Sequence, residues 1–254
     1  MAVATREQVI RARDVKNVVF DMGNVLMRFD GELFAHDFTD NEEDAQLLYQ
    51  ALFGRTEWAL LDSGTISHET IARVARTHLP ERLHPNLAEC LAHWPEHSHP
   101  IEPTNELAQR LHEAGYGVYL LSNASTRIGE QLGHMPAMRV LDGWMASAFE
   151  RLMKPDPAIY QLFCERFGLD ATSCLFVDDK EDNCEGARVA DMQAFLFTGE
   201  DGGDAAELGR LLLERKGEAS AGGARGATLL RTRCMGGGSR DWHGPNERAH
   251  NRDF

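Results

Sequence analysis

Val18-Val19-Phe20-Asp21-Met22-Gly23-Asn24-Val25-Leu26 sets a β-branched and aromatic run directly against a carboxylate, followed at once by Gly and Asn. The apolar run has the composition of a buried strand. A carboxylate at its end, ahead of Gly and Asn, suits a nucleophile on a tight turn whose backbone comes close to a ligand. The same pattern also suits an ordinary turn or helix-capping Asp, so its meaning depends on the rest of the chain.

Working outward, the pattern recurs. Lys16 to Phe20 runs into Asp21, Gly117-Val118-Tyr119-Leu120-Leu121 into Ser122, and Cys174-Leu175-Phe176-Val177 into Asp178; Ala194-Phe195-Leu196-Phe197 closes the series. Stretches of helical character separate these runs, which predicts an α/β fold with a parallel sheet. Each polar residue then falls at the carboxyl end of a strand, where open α/β sheets bind ligands.

Between the first two runs lie about ninety residues with helical rather than strand character, a candidate inserted cap over 31–98. Within it, 45–53 carries Leu47, Leu48, Ala51 and Leu52 on one stripe, and Ser67 caps a helix burying Ile71, Val74 and Ala75. A helix over 105–113, with Thr104 as N-cap and Gly115 as its stop, returns the chain to the core. Asp204 with Glu207 begins a last amphipathic segment carrying Leu208, Leu211 and Leu212. The expected division is a core of 1–30 and 99–216, the cap of 31–98, and a tail of 217–254. That tail holds eight glycines, six arginines and four acidic residues without apolar periodicity, and is expected to be disordered.

At 254 residues with 43% hydrophobic content, the chain can bury a core without disulfides. Its formal charge of -14 disfavours nucleic acid as a partner, whereas a small phosphate in a cleft remains compatible. No stretch has the roughly 18 apolar residues a membrane span needs, and the charged N-terminus lacks an apolar export core. Five cysteines without a CxxC pair read as reduced thiols, so a cytoplasmic location is expected.

Three more clusters carry chemistry. Leu120-Leu121-Ser122-Asn123-Ala124-Ser125 places a hydroxyl and an amide where a helix opens, either to bind phosphate or simply to cap that helix. Lys154-Pro155-Asp156-Pro157 fixes a lysine in a stiffened loop ahead of a helix that Asp156 caps. Phe176-Val177-Asp178-Asp179-Lys180-Glu181-Asp182-Asn183 gathers four carboxylates at a strand end, where they repel one another unless a hard cation compensates them.

Nucleophile, hydroxyl, lysine and acidic pair, in that order along one βα series, resemble the four motifs of the haloacid-dehalogenase-like (HAD) superfamily over roughly residues 16 to 198. Within it, FDxGNV, the segment Ser63-Gly64-Thr65-Ile66-Ser67, LSN, KP and FxDD with a downstream Asn are similar to the bacterial sugar-phosphatase branch acting on glucose 1-phosphate. The resemblance implies a Rossmann-like parallel sheet core with an inserted helical C1-type cap. It also implies a Mg²⁺-dependent phosphatase for a small phosphorylated metabolite. Carried over, Asp21 attacks phosphorus; Mg²⁺ is held by Asp21, the Gly23 backbone carbonyl and Asp178, with Asp179 or Asp182 ordering its waters. Ser122, the Asn123 backbone and Lys154 grip the phosphoryl oxygens, and Lys154 keeps Asp21 ionised.

One departure matters. The family's phosphatases place a second aspartate two residues after the nucleophile as acid/base, and this chain has Gly23. Either Asp30 or a cap residue supplies the proton, or the substrate has an acidic leaving group. Two other readings stay open: a 2-haloacid dehalogenase, which needs neither that acid nor a metal, and a non-catalytic phosphate-binding protein. Asp191, where the family has glycine, is expected to tolerate a left-handed backbone. Cap histidines 68, 84, 93, 97 and 99 read as surface residues, and Trp58 as cap core rather than substrate platform.

Overall fold

The computed structural model describes residues 10–199 and 202–214. Five strands, β1 (Asn17–Phe20), β2 (Gly117–Ser122), β3 (Gly143–Ala146), β4 (Cys174–Asp178) and β5 (Gln193–Leu196), form one sheet in the order β3-β2-β1-β4-β5. Every pairing is parallel. The helices are α1 (Gly31–Asp37), α2 (Glu42–Ala51), α3 (Thr56–Asp62), α4 (His68–Thr77), α5 (His84–His93), α6 (Glu102–Glu113), α7 (Ile128–Leu132), α8 (Ser147–Glu150), α9 (Pro157–Phe167), α10 (Glu181–Val189) and α11 (Gly203–Gly209). This is the α/β, Rossmann-like arrangement expected from the sequence. The strand the sequence reading lacks is β3, whose Gly143-Trp144-Met145-Ala146 carries no β-branched residue and opens on a glycine.

Alternation along the strands divides the core. Val18 and Phe20 of β1, Val118 and Leu120 of β2, and Leu175 and Val177 of β4 pack on one face with Leu107 and Leu111 of α6 and Leu208 of α11. Val19, Leu121 and Phe176 face the other way, against Ile159, Tyr160 and Phe163 of α9 and Cys184 and Ala187 of α10. Both faces of the sheet are therefore covered, which is why its strands read as continuous apolar runs. At about 25 cal/mol per Å² of apolar surface, each fully buried large side chain contributes roughly 1.5 to 3 kcal/mol to folding.

Helices α1 to α5 enclose a separate cluster with Phe34, Leu48, Leu52, Ile71, Ala75, Leu87 and Trp94 buried, Leu47 only partly, and Val74 partly exposed. The segments entering and leaving this insertion run side by side: Arg28 N–H donates to His99 O (2.7 Å), Ile101 N–H donates to Leu26 O (2.9 Å), and Met27 bridges Pro100. Ser67 caps α4 as expected, accepting from the Thr70 amide at 3.1 Å.

Two caps differ from expectation. Helix α6 starts at Glu102, with Ile101 at the N-cap position and Pro103 in its first turn, so Thr104 is buried inside the helix; the proline, able to start a helix, sets the boundary. Asp204 does not cap α11, whose N-cap is Gly202; its carboxylate instead accepts from the Thr198 hydroxyl (3.1 Å) and the Gly199 amide (2.9 Å), pinning the end of β5. Asp191 takes φ 65°, the left-handed backbone the sequence anticipates. The expected tail over 217–254, with Cys234, lies outside the described residues.

Helix α10 approaches the Lys154-Pro155 loop so closely that a Cβ on Gly186 would lie 2.2 Å from Pro155 O. Alanine favours a helix over glycine by about 1 kcal/mol, yet Gly186→Ala is expected to lower stability by a net ~1 to 3 kcal/mol through overpacking. Urea unfolding measures this; unchanged or increased stability would show that the loop yields.

Candidate active site

The loops following β1, β2 and β4 meet where the strand order reverses about β1, the crevice in which open α/β sheets hold ligands. Asp21 N–H donates to Val177 O at 2.8 Å, so the first carboxylate continues the ladder beside the end of β4. The turn after it uses Asn24 rather than Gly23 for its left-handed residue (φ 56°), which Asn tolerates. Asn24 Oδ1 accepts from the Phe29 amide (2.9 Å), and its Nδ2 reaches Asp179 Oδ2 at 3.4 Å.

Lys154 lies at the centre. Its Nζ is 2.8 Å from Asp21 Oδ1 and 2.7 Å from Asp178 Oδ2, and all three side chains are buried. The contact with Asp178 is a hydrogen bond, and the one with Asp21 is a close ion pair. The lysine is placed by a reciprocal pair: Asn123 Nδ2 donates to Lys154 O and the Lys154 amide donates to Asn123 Oδ1, each at 2.9 Å. The Phe176 ring lies 5.1 Å from the ammonium, a favourable cation–π position. Asp178 accepts further bonds from the Lys180 amide (2.9 Å) and from Asn183 Nδ2 (2.9 and 3.1 Å).

Burial pushes the Asp21 carboxyl above its ordinary range, with Lys154 opposing and Asp178 adding to the rise. Burial pulls on Lys154 in the opposite sense, but the charges of Asp21 and Asp178 outweigh it and its ammonium is raised. Asp179 is raised by burial and by the charge of Asp178. Oxygens of Asp21, Asp178 and Asp179 come within 4.8 Å of one another. Three carboxylates around one buried ammonium leave an excess of negative charge, and an all-oxygen donor set suits a hard divalent cation such as Mg²⁺.

Asp21, Lys154 and Asp179 line a cavity of about 300 Å³ between the sheet and the helical insertion, with Asp178 buried behind them. Ser122, Asn123, Gly23, Asn24, Lys180 and Asn183 share its polar floor, and Phe29, Phe53, Trp58 and Trp94 form an aromatic wall. Trp58 takes both roles weighed for it: its ring is 4.6 Å from that of Phe53 and 5.5 Å from that of Trp94, and it also faces the cavity. Cap histidines 68, 84, 93, 97 and 99 lie outside this lining.

Some expected members are elsewhere. Asp30 is exposed and caps α1, its Oδ1 accepting from the Glu32 and Leu33 amides at 3.0 Å each, so its carboxylate is engaged away from the cavity. Asp182 is exposed on the first turn of α10, and Asn183, one residue on, faces Asp178 instead. No helix opens directly after Ser122: a loop over 123–127 precedes the five-residue α7. Asp156 caps α9 as expected.

Asp62 is the residue sequence reasoning missed. It ends α3 immediately before the Ser63 to Ser67 segment and lines the cavity. Ser147 Oγ donates to its backbone carbonyl at 2.5 Å, and Gly64 (φ 70°) comes so close to α8 that a Cβ there would lie 2.2 Å from Ala148 O. The signal was Gly64, whose left-handed turn brings the chain against the core. Burial pushes the Asp62 carboxyl up to about 8, opposed by Lys180 and by the Ser125 amide, with the Asp21 charge adding to the rise.

The haloacid dehalogenase-like hydrolase family model matches residues 15–191, and the chain belongs to that family. Phosphatase MT3486 of Mycobacterium tuberculosis (strain CDC 1551 / Oshkosh) is 46% identical over 57 residues, covering 22% of this chain and 26% of that protein. The (S)-2-haloacid dehalogenase 4A of Burkholderia cepacia is 34% identical over 83 residues, covering 32% of this chain and 36% of that protein. The chain thus matches only about a quarter to a third of the length of these relatives. A HAD family enzyme of Bacteroides thetaiotaomicron, solved with magnesium and inorganic phosphate, aligns with a TM-score of 0.56 at 21% identity over 74% of this chain and 96% of that one. At that identity the likeness is one of fold.

A carboxyl whose native pKa is raised binds a proton the unfolded chain has lost, so stability falls as pH rises from the unfolded value near 4 through the native value. Asp62, at about 8, and Asp21 act in the same direction. Asp62→Asn is therefore expected to raise Tm relative to wild type at pH 8 and to leave it nearly unchanged at pH 4. Equal shifts at both pH values would contradict the protonated Asp62.

Proposed function

We propose that this HAD-family hydrolase is a cytoplasmic, Mg²⁺-dependent phosphatase acting on a small phosphorylated metabolite through a phosphoryl-enzyme formed on Asp21. The observation that carries the reading is the convergence of Asp21, Asp178 and Asp179 on one point with a single buried ammonium among them. Asp21, Asp178 and the Gly23 backbone carbonyl would hold the cation, with Asp179 ordering its waters. When bound, it supplies charge neutralisation between an anionic nucleophile and an anionic phosphate. Lys154 holds the Asp21 oxygen in place and faces a phosphoryl oxygen on its other side; Ser122 and the Asn123 backbone complete the polar floor that orients the phosphate. Free thiols at Cys90, Cys164, Cys174 and Cys184 suit a reducing compartment. Among the described residues, no helix is long and apolar enough to cross a membrane.

The likeness to the Burkholderia dehalogenase and the glycine at position 23 favour a second reading, a 2-haloacid dehalogenase, which uses the same nucleophile. That chemistry has no need of Asp178 and Asp179 together, and their convergence weighs against it. Phosphate release from a panel of phosphomonoesters, with and without Mg²⁺, is expected to depend on the metal, and 2-haloacids are expected to release no halide. Asp21→Asn removes the nucleophile and an anionic ligand together, and turnover should fall to background with the fold intact. Retention of more than roughly a few per cent of activity would remove the covalent mechanism, while metal-independent halide release would establish the dehalogenase.

A further inference from the structure

Resting on the phosphatase reading, we propose that Asp62, supplied by the helical insertion, is the proton donor to the leaving group and then the base for water, replacing the carboxylate absent at position 23.

The inference starts from the cavity lining. Three aspartates face it: Asp21, Asp179 and Asp62. The first two belong to the cluster of converging oxygens, and Asp62 stands outside it. It is attached to the insertion, on the side from which a substrate's leaving group must enter, because the sheet side carries the phosphate-facing groups. Lys180, whose charge acts on Asp62, lines the same cavity. Nor does packing forbid a carboxylate at position 23: a Cβ there would meet only Phe29 Cβ, at an ordinary 3.7 Å. The site is thus open at Gly23, and a carboxyl lines the same cavity from the insertion.

An acid at this place must be both held and protonated. The hydrogen bond from Ser147 to the Asp62 carbonyl and the contact of Gly64 with Ala148 fix the end of α3 against the core. Burial raises the carboxyl to about 8 against the opposing influence of Lys180 and the Ser125 amide.

The reaction balances as follows. An Asp21 carboxylate oxygen forms a bond to phosphorus while the bond from phosphorus to the ester oxygen breaks. The Asp62 proton passes to that departing oxygen, giving an alcohol, an acyl phosphate on Asp21 and an Asp62 carboxylate. Water then attacks phosphorus and gives its proton to Asp62, while the bond between phosphorus and the Asp21 oxygen breaks. Inorganic phosphate leaves, and both aspartates return to their starting forms.

The test compares full-length wild type with Asp62→Asn, both with Mg²⁺, across phosphomonoesters whose leaving groups range from alkyl alcohols to acidic phenols. Wild type is expected to show a shallow dependence on leaving-group pKa. Asp62→Asn should lose about 10² to 10⁴ in kcat on alkyl esters and much less on aryl esters in formation of the acyl phosphate, followed as the burst of released phenol. The aryl burst in the same variant shows that the fold and Asp21 remain competent. An unchanged alkyl rate, or an equal loss on alkyl and aryl bursts, would overturn the assignment: the first makes Asp62 a bystander, the second a structural residue. Asp62→Glu, which keeps the acid on a longer arm, should recover part of the alkyl rate, and recovery no better than Asn would also count against it. Failure of the phosphatase reading looks different, since wild type itself would then release no phosphate.

Discussion

A single buried ammonium organises this site. Isolated, the Lys154 charge would be strongly disfavoured inside a protein; between Asp21 and Asp178 it is compensated, and the two carboxylates are separated by a cation instead of facing each other. Removing one partner of such an arrangement typically costs 3 to 5 kcal/mol, because the other charge is left unpaired. Much of the neighbouring structure therefore serves its placement. Asn123 holds its backbone from both sides, α10 packs on Pro155 without room for a methyl group, and the ring of Phe176 lies beneath the charge.

The compensation is incomplete. With Asp179 included, three carboxylates gather around one buried ammonium, with Lys180 acting on Asp179 from outside, and burial raises both Asp21 and Asp179. A second cation relieves this strain. The site is thus stable enough to fold and still carries an excess of negative charge, which fits the proposed binding of a divalent cation.

What the sequence made legible follows from local physics. Continuous apolar runs ending in Asp21, Ser122 and Asp178 fix strands buried on both faces and put their polar ends on one rim, and Lys154 follows from its place in a stiffened loop. Less legible were features decided by tertiary contact. The β3 edge strand has no β-branched residue to mark it and opens on a glycine. Thr104 lost the cap position to a proline that can start the helix earlier. Asp30 looked available because capping by a side chain two and three residues away cannot be told from exposure near a site. Asp62 was silent because its neighbours in space, Ser125, Ser147 and Lys180, are far from it in the chain.

The distribution of carboxylates also explains how one fold accommodates both phosphatases and dehalogenases. On the proposed reading the groups of attack are Asp21 at the end of β1 and Lys154 in the loop before α9, both outside the insertion. What differs is the supply of cations and protons around that nucleophile. Here the acidic end of β4 lies beside the nucleophile, and the remaining carboxyl projects from α3, whose following segment is locked to the core at Gly64. The proposed acid would thereby be tied to the insertion rather than to the turn after Asp21. A displaced insertion would leave the nucleophile and its lysine intact but carry the acid and the aromatic wall away, so productive geometry requires the insertion seated on the sheet with substrate enclosed.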